Sequence, residues 1–158
     1  MQRLLRLHYG ADGVALGGGD GSGEAVERLR RYFTGDLGAI DGLRAETGGT
    51  SFQRRVWSAL REIPVGTTIS YAELARRIGQ PAAFRAVGLA NGGNPIGIVV
   101  PCHRVIGANA SLTGYGGGIE RKRWLLAHEG VDVVRAAPAL PSRKQSLVAA
   151  ASRQPTLL

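Results

Sequence analysis

The clearest periodic pattern in the chain begins at Phe52, from which apolar residues recur every three or four positions. The series continues through Val56, Ala59, Leu60 and Ile63. Spacing of this kind places apolar side chains on one face of an α-helix. Pro64 follows directly, and a proline cannot continue a helix. The pattern therefore predicts a helix over residues 52–63 that turns its apolar face toward a core.

Two shorter helices follow, joined by a tight turn. Ser70 and Glu73 have the spacing of a capping box, which predicts a helix over residues 71–78 that Gly79 ends. Pro81 suits the first turn of the next helix, predicted to run to about Asn91. Two short helices joined by Gly-Gln-Pro favour a helix-turn-helix motif. An ordinary helical hairpin fits this pattern equally well.

The rest of the second half alternates between buried segments and a flexible loop. Residues 96–100 are an uninterrupted apolar run, which predicts a short buried segment leading to Cys102. Residues 107–118 form a glycine-rich loop. Residues 119–129 predict a last helix, with Gly130 as its stop.

The two ends of the chain carry weaker signals. Residues 24–33 predict a short helix with Val26, Leu29 and Phe33 on one face. A glycine-rich link over residues 17–23 precedes it and lacks the Gly-Lys-Ser/Thr ending of a phosphate-binding loop. A polar connector runs to about residue 49. Residues 131–158 have no clear period, so we expect a disordered tail there.

Composition and charge narrow the classes of function. The chain has 158 residues, of which 44% are hydrophobic, enough for one domain with a real core. Residues 1–50 carry 6 basic and 7 acidic side chains, whereas residues 51–158 carry 14 basic and 5 acidic ones. A basic domain suits a polyanion such as DNA, although 18 of the 20 basic residues are arginines, a bias that genome composition also produces. No apolar stretch reaches membrane-spanning length, and a single cysteine argues for a reducing compartment, so we expect a cytoplasmic protein without a membrane partner.

That single cysteine is the strongest candidate for chemistry. Cys102 lies in the run Pro-Cys-His-Arg, with His103 and Arg104 directly after it. A lone cysteine makes no internal disulfide, so it is either an inert buried thiol or a nucleophile. The nucleophilic form is the thiolate, and basic neighbours lower the pKa of a thiol. A histidine with an acidic partner is the usual activator, and Glu129 at the end of the last helix is a candidate for that acid.

The residues around Cys102 resemble the active-site motif of the O6-alkylguanine-DNA alkyltransferases, also called methylated-DNA–protein-cysteine methyltransferases. The motif is Pro101-Cys102-His103-Arg104-Val105-Ile106-Gly107. Further family-like segments follow the family's order over about residues 50–130: Phe52 to Trp57, Arg85 to Gly88, Asn94-Pro95, Thr113 to Gly118, and Trp124 to Gly130.

The resemblance implies a role for each matching residue in catalysis. Cys102 is the alkyl acceptor, and His103 acts on it through a bound water. Glu129 orients and polarises His103. Asn94 is the hinge between the recognition helix and the active-site segment.

The resemblance also implies DNA contacts and a base pocket. Arg85 enters the duplex from the minor groove and fills the gap left by a flipped nucleotide, while Tyr71 faces the neighbouring phosphate. Small and polar residues of the recognition helix are expected at the groove: Ala86, Gly88 and Asn91. The guanine pocket is expected to be lined by the backbone of Cys102 and Val105, with Tyr115, Gly116 and Gly117.

The expected fold is α+β and mainly helical. A winged-helix-like helix-turn-helix domain over residues 50–130 binds DNA and carries the chemistry, preceded by a shortened N-terminal α/β-type region over residues 1–49. That region is shorter than is usual in the family and lacks the cysteines that hold zinc in some members, so we expect no metal and no cofactor. The expected partner is double-stranded DNA containing O6-alkylguanine, bound by a monomer.

Two alternatives differ in function class. A non-catalytic alkylated-DNA sensor would bind lesions without repairing them, but such proteins replace the nucleophile that is present here. A DNA-binding regulator would use the helix-turn-helix alone and leaves the Pro-Cys-His-Arg motif without a purpose. The sequence favours stoichiometric transfer of an alkyl group from O6 of guanine, or O4 of thymine, to Cys102.

Overall fold

A computed structural model describes residues 22–132. Its helices are α1 (Ser22–Phe33), α2 (Ser51–Arg61), α3 (Tyr71–Arg77), α4 (Phe84–Gly92) and α5 (Ile119–His128). Two short strands, β1 (Ile69–Ser70) and β2 (Val105–Ile106), pair in parallel with Ile69 opposite Val105. Single 3-10 turns cover Pro81–Ala83 and Cys102–Arg104. The predicted α+β class with mainly helical content is confirmed, whereas the predicted tail from residue 133 onward and the link up to residue 21 lie outside the described residues.

The helix ends follow local capping chemistry. The Thr50 hydroxyl accepts from the Gln53 amide, and the Gln53 side chain accepts from the Thr50 amide, which completes a capping box at α2 that the sequence analysis missed. At α3 only half of the predicted box forms. The Ser70 hydroxyl accepts from the Glu73 amide, but the Glu73 carboxylate pairs with Arg76 and Arg77 instead of returning to the cap. Nearby guanidinium groups outcompete a single backbone N–H for that carboxylate.

Helices α3 and α4 pack against each other across a tight turn, and both pack on α2. Gly79, at φ +72°, ends α3 in a conformation that most side chains disfavour. Pro81 opens a 3-10 turn rather than the α-helix itself, so the predicted third helix begins later, at Phe84. This helix pair leaves one side of α4 exposed.

The N-terminal helix buries a different face from the predicted one. Ala25, Leu29 and Tyr32 are the buried positions, whereas Val26 is 37% exposed and Phe33 is only partly buried. Positions 25, 29 and 32 follow a slightly rotated stripe of the same helix. Residues 22–49 contain this helix followed by turns and no strand, and the α/β-type character predicted for residues 1–49 stays a prediction.

Two hydrophobic clusters meet at the nucleophile's segment. One joins α2, α3 and α4 with Val100, Cys102 and Val105. The other joins α1 and residues 40–43 with residues 96–99 and Leu125 of α5, and Tyr115 packs on both clusters. Residues 96–100 form no regular strand, since Ile98 has a φ of +75°. The predicted buried segment is therefore present as an irregular one.

Candidate active site

Cys102 begins the 3-10 turn that follows the buried segment, and its side chain faces a small pocket. The residue is 6% exposed, and the pocket holds about 130 Å³. The pocket wall comes from the end of α4, the segment after it and the glycine-rich loop: Asn91, Asn94, Gly97, Gly114, Tyr115 and Gly116. A backbone rich in glycine leaves room for a flat ligand edge to approach main-chain groups.

The thiol is not pre-ionised in this structure. Burial raises the pKa of the Cys102 thiol, because a low-dielectric site disfavours the thiolate. A hydrogen bond from Asn94 and the positive charge of Lys122 oppose that rise only in part. The expectation that the adjacent His103 and Arg104 lower the pKa of the thiol is therefore wrong for the protein without DNA. Both side chains instead hydrogen-bond to Glu129.

His103 and Glu129 form a buried pair, although 26 positions separate them in the sequence. His103 Nε2 lies 3.0 Å from Glu129 Oε1, and the two residues are 0% and 4% exposed. Burial lowers the pKa of His103, so the imidazole is neutral at neutral pH. Because the ionised carboxylate only accepts hydrogen bonds, Nε2 carries the proton and Nδ1 is the basic nitrogen. Nδ1 is buried and has no hydrogen-bond partner among residues 22–132.

Arg104 clamps the carboxylate from a second side. Its Nε donates to Glu129 Oε2 at 2.9 Å and its Nη2 to Oε1 at 2.8 Å, while Nη1 donates to the Ile63 carbonyl at 2.6 Å. Hydrogen bonds from His103 and Arg104 outweigh burial and hold the pKa of Glu129 far below its ordinary value. The acid at the end of α5 is therefore ionised across the whole range in which the protein works.

Lys122 is a site residue that the sequence analysis missed. It is 0% exposed, and its Nζ donates to the carbonyls of Val105 at 2.6 Å and Thr113 at 3.1 Å. Burial lowers its pKa to about 8. The signal was present in the sequence, since Lys122, Leu125, Leu126 and Glu129 follow one inward face of α5 at helical spacing.

Asn94 fixes the turn between α4 and the buried segment. Its Nδ2 donates to the Val100 carbonyl at 2.7 Å, and its Oδ1 accepts from the Ile96 amide at 3.1 Å. One side chain thus replaces two main-chain bonds at the point where the chain reverses, next to the thiol.

Comparison with known proteins decides the family. Residues 51–131 match the model of the 6-O-methylguanine DNA methyltransferase, DNA binding domain. The chain belongs to this family. It is 55% identical over 130 residues to the methylated-DNA–protein-cysteine methyltransferase of Salmonella typhimurium, covering 82% of this chain and 76% of that protein.

Solved structures of the family are similar as well. Mycobacterium tuberculosis OGT in complex with DNA is 56% identical with a TM-score of 0.63, over 73% of this chain and 68% of that one. The O6-methylguanine-DNA methyltransferase of Pyrococcus kodakaraensis is 33% identical with a TM-score of 0.60, over 83% and 79% of the two chains. The family assignment made from the residues around Cys102 is thereby confirmed.

Two of the residues expected at the site are buried in this methyltransferase family member. Asn91, expected at the DNA groove, is 2% exposed, and its Nδ2 lies 3.5 Å from the Cys102 carbonyl, because this side of α4 faces the pocket. Val105, whose backbone was expected to line the guanine pocket, is 0% exposed, and its carbonyl accepts from Lys122 Nζ at 2.6 Å, so the backbone role stays a prediction. Tyr115, Gly116 and Gly117 do line the pocket.

The other expected DNA contacts lie on or beside the exposed side of α4. Arg85 and Ala86 are exposed, as is Leu89 at 80%. The Arg85 guanidinium lies 5.8 Å from the centre of the Phe84 ring. Tyr71 donates to the Thr113 carbonyl at 3.2 Å, and a Cβ on Gly88 would lie 3.8 Å from its ring. A side-chain carbon at position 88 would therefore make only an ordinary van der Waals contact with Tyr71.

Residues 22–132 contain no group of three or more His, Cys, Asp or Glu side chains placed to hold a metal ion. Within the same residues, none of the helices has the length and apolar character needed to cross a membrane.

Proposed function

We propose that this protein repairs alkylated DNA by direct reversal, moving a methyl or other alkyl group from O6 of guanine, or O4 of thymine, to Cys102. The observation that carries the proposal is the placement of the chain's sole cysteine in a small pocket, directly ahead of a buried pair of neutral His103 and ionised Glu129. Family membership supports it, because the curated relatives are named for this reaction.

The proton path follows from the pKa shifts. The thiol is protonated at rest because burial raises the pKa of Cys102, and the pKa of His103 is lowered, so its Nδ1 is unprotonated. A bridging water carries the thiol proton to Nδ1 while Nε2–H stays bonded to Glu129. The carboxylate stabilises the imidazolium that forms, as in other thiol and hydroxyl nucleophiles activated by a histidine.

The transfer is a displacement at the alkyl carbon. A sulfur–carbon bond forms as the carbon–O6 bond breaks, and the bonding electron pair stays on the guanine oxygen. The guanine takes up one proton, which in net terms is the one released by the thiol, and returns to its ordinary neutral form. The thioether on Cys102 is not hydrolysed, so each chain acts once, and no cofactor takes part.

DNA engagement is assigned to α3 and α4 as a helix-turn-helix, with a winged-helix-like arrangement of the adjoining segments. The reacting atom lies inside the duplex, so the nucleotide has to leave the stack, at a cost of about a few kcal/mol. Arg85 fills the vacated space, and Tyr71 faces the neighbouring phosphate. Ala86 and Gly88 allow the helix to approach the groove. The functional unit is a monomer on double-stranded DNA.

Reaction with free O6-benzylguanine tests this function and separates it from a sensor or a DNA-binding regulator. We expect one benzyl group per chain, located on Cys102, and no labelling of Cys102→Ser, whose hydroxyl stays neutral near physiological pH. Cys102→Ser should still bind a duplex containing O6-methylguanine, because the exposed side of α4 is unchanged. Labelling of the serine variant, or no labelling of the native protein, would rule out Cys102 as the acceptor.

A further inference from the structure

A tyrosine from the N-terminal helix reaches the catalytic carboxylate. Tyr32 lies near the end of α1, is 0% exposed, and donates its hydroxyl to Glu129 Oε1 at 2.8 Å. The two residues are 97 positions apart in the sequence. The region before residue 50 thus contributes a polar contact to a network otherwise built by the methyltransferase domain.

The contacted oxygen is the one that serves the histidine. Glu129 Oε1 receives Tyr32 Oη at 2.8 Å, Arg104 Nη2 at 2.8 Å and His103 Nε2 at 3.0 Å. Arg104 also holds Oε2, so its full positive charge draws the whole carboxylate toward the guanidinium. The Tyr32 hydroxyl is a third donor to Oε1, besides His103 and Arg104. Its hydrogen bond opposes the attraction of the carboxylate toward the Arg104 guanidinium, and it does so without adding charge.

Tyr32 is itself held in place from α5. His128, the residue before Glu129, lies with Nε2 2.7 Å from the Tyr32 carbonyl, and the two rings meet edge to face at 5.1 Å. The Phe33 ring packs edge-on against Tyr32 at 5.3 Å. These contacts therefore hold the end of α1 against the end of α5, next to the catalytic carboxylate of Glu129.

The hydroxyl remains a donor over the whole working range. Burial raises the pKa of Tyr32 well above its ordinary value, and the neighbouring Glu129 charge raises it further. A contact that does not titrate holds its geometry at every pH at which His103 can accept a proton.

We infer that Tyr32 is a positioning residue for the alkyl transfer, so that the seating of α1 sets the geometry of the Glu129–His103 pair. The inference rests on the proposed function. It gives the residues before position 50 a part in activating the nucleophile, in addition to their packing. When the hydroxyl is absent, the carboxylate moves toward Arg104 and the imidazole loses part of its acceptor.

Tyr32→Phe tests this with the ring retained, and Leu29→Val is the matched control, because Leu29 is 3% exposed on the same face of α1 but has no polar group. Two readouts are needed: the single-turnover rate with O6-benzylguanine, and the rate of Cys102 alkylation by iodoacetamide across pH 6–10. The second reports the apparent pKa of the thiol and needs no alkylguanine. The other titratable groups near the sulfur and the carboxylate are the same in both variants: His103, Arg104, Lys122 and Tyr71.

We expect Tyr32→Phe to slow benzyl transfer about tenfold, the order of one hydrogen bond to a charged group, and to raise the apparent pKa of Cys102. Leu29→Val should lower the melting temperature and leave the apparent pKa unchanged. An unchanged thiol pKa and rate in Tyr32→Phe, or an equal pKa shift in Leu29→Val, would overturn the inference. Failure of the native protein to accept the benzyl group would instead refute the proposed function, and the iodoacetamide series would still decide the role of Tyr32.

Discussion

Two regions of the molecule differ in how completely their side chains are buried and paired before DNA binds. Behind Cys102, the charged groups are buried and paired, with Glu129 held by His103, Arg104 and Tyr32. On the exposed side of α4, Arg85 and Leu89 face solvent, and the Arg85 guanidinium lies 5.8 Å from the centre of the Phe84 ring. The proposed function assigns the first region to the alkyl transfer and the second to DNA binding.

The difference follows from what each region has to do. Groups that stabilise a developing charge act best when they are already fixed and need no reorganisation during the reaction. Groups that meet a nucleic acid exchange water for phosphate and base contacts, so they stay solvated until binding. Changes in the buried network should therefore alter chemistry on every substrate, whereas changes on α4 should alter only reactions that need DNA.

The largest effect is expected from Glu129→Gln. An amide cannot stabilise the imidazolium as a carboxylate does, so transfer should fall about a hundredfold, the lower range for a positioned acid–base group. The loss should be equal with free O6-benzylguanine and with an alkylated duplex, and the apparent pKa of Cys102 should rise. Single-turnover kinetics over pH 6–9 measures both quantities.

The control for this variant is Glu120→Gln, since Glu120 lies on the same helix in an exposed pair with Arg123. It should leave rate and stability unchanged. Glu129→Gln also leaves Arg104 buried beside a neutral group, so the rates have to be taken well below its melting temperature. An unchanged transfer rate would mean that Glu129 only closes a helix.

A smaller effect on stability is expected from the buried cation. The pKa of Lys122 is about 8 in the folded protein, below its ordinary value of 10.5. The unfolded chain then binds more protons between these two values, so the free energy of unfolding rises with pH there. Between pH 7.5 and 9.5 the native protein should gain about 2 kcal/mol relative to Lys122→Gln. Urea titrations at the two pH values measure the free energy of unfolding of both proteins. The same change with pH in the native protein and in Lys122→Gln would contradict a buried ammonium.

The smallest effect, about tenfold on duplex DNA, is expected from Arg85→Ala. If Arg85 stabilises the extruded nucleotide, its loss slows repair of the duplex but not the reaction with free O6-benzylguanine, which needs no extrusion. Arg30→Ala is the control, because Arg30 lies in an exposed pair with Glu27 on α1. Equal slowing on both substrates would place Arg85 in the fold or pocket and remove the contrast between the two regions.

The helices of the methyltransferase domain were predictable from the sequence because their signals are local. The apolar spacing from Phe52 placed α2, and the glycines at 79 and 130 marked the ends of α3 and α5. The predicted buried face of α1 is rotated slightly from the observed one. Val26, Leu29 and Phe33 are all apolar and so predicted one face, whereas the tertiary packing buries Tyr32. A polar tip on an otherwise apolar ring gave no periodic signal.

The sequence predicted the site residues that lie in a recognisable motif, but not those that only the tertiary fold brings to the site. Cys102, His103 and Glu129 lie in the family-like segments and were all predicted, whereas Tyr32 lies outside those segments and reaches Glu129 only through the tertiary fold. Asn91 shows the reverse error, since membership of the recognition helix suggested a DNA contact while its rotation faces the pocket. The direction of the thiol's pKa shift was also out of reach, because it depends on burial.

The most direct test of the account is the intact mass of the protein after incubation with an excess of duplex containing O6-methylguanine. The account predicts that the mass rises by one methyl group in place of one proton and then stops, that the modified peptide contains Cys102, and that the duplex regains an unmodified guanine. No change in mass, more than one methyl group per chain, or a methyl group on any other residue would contradict it.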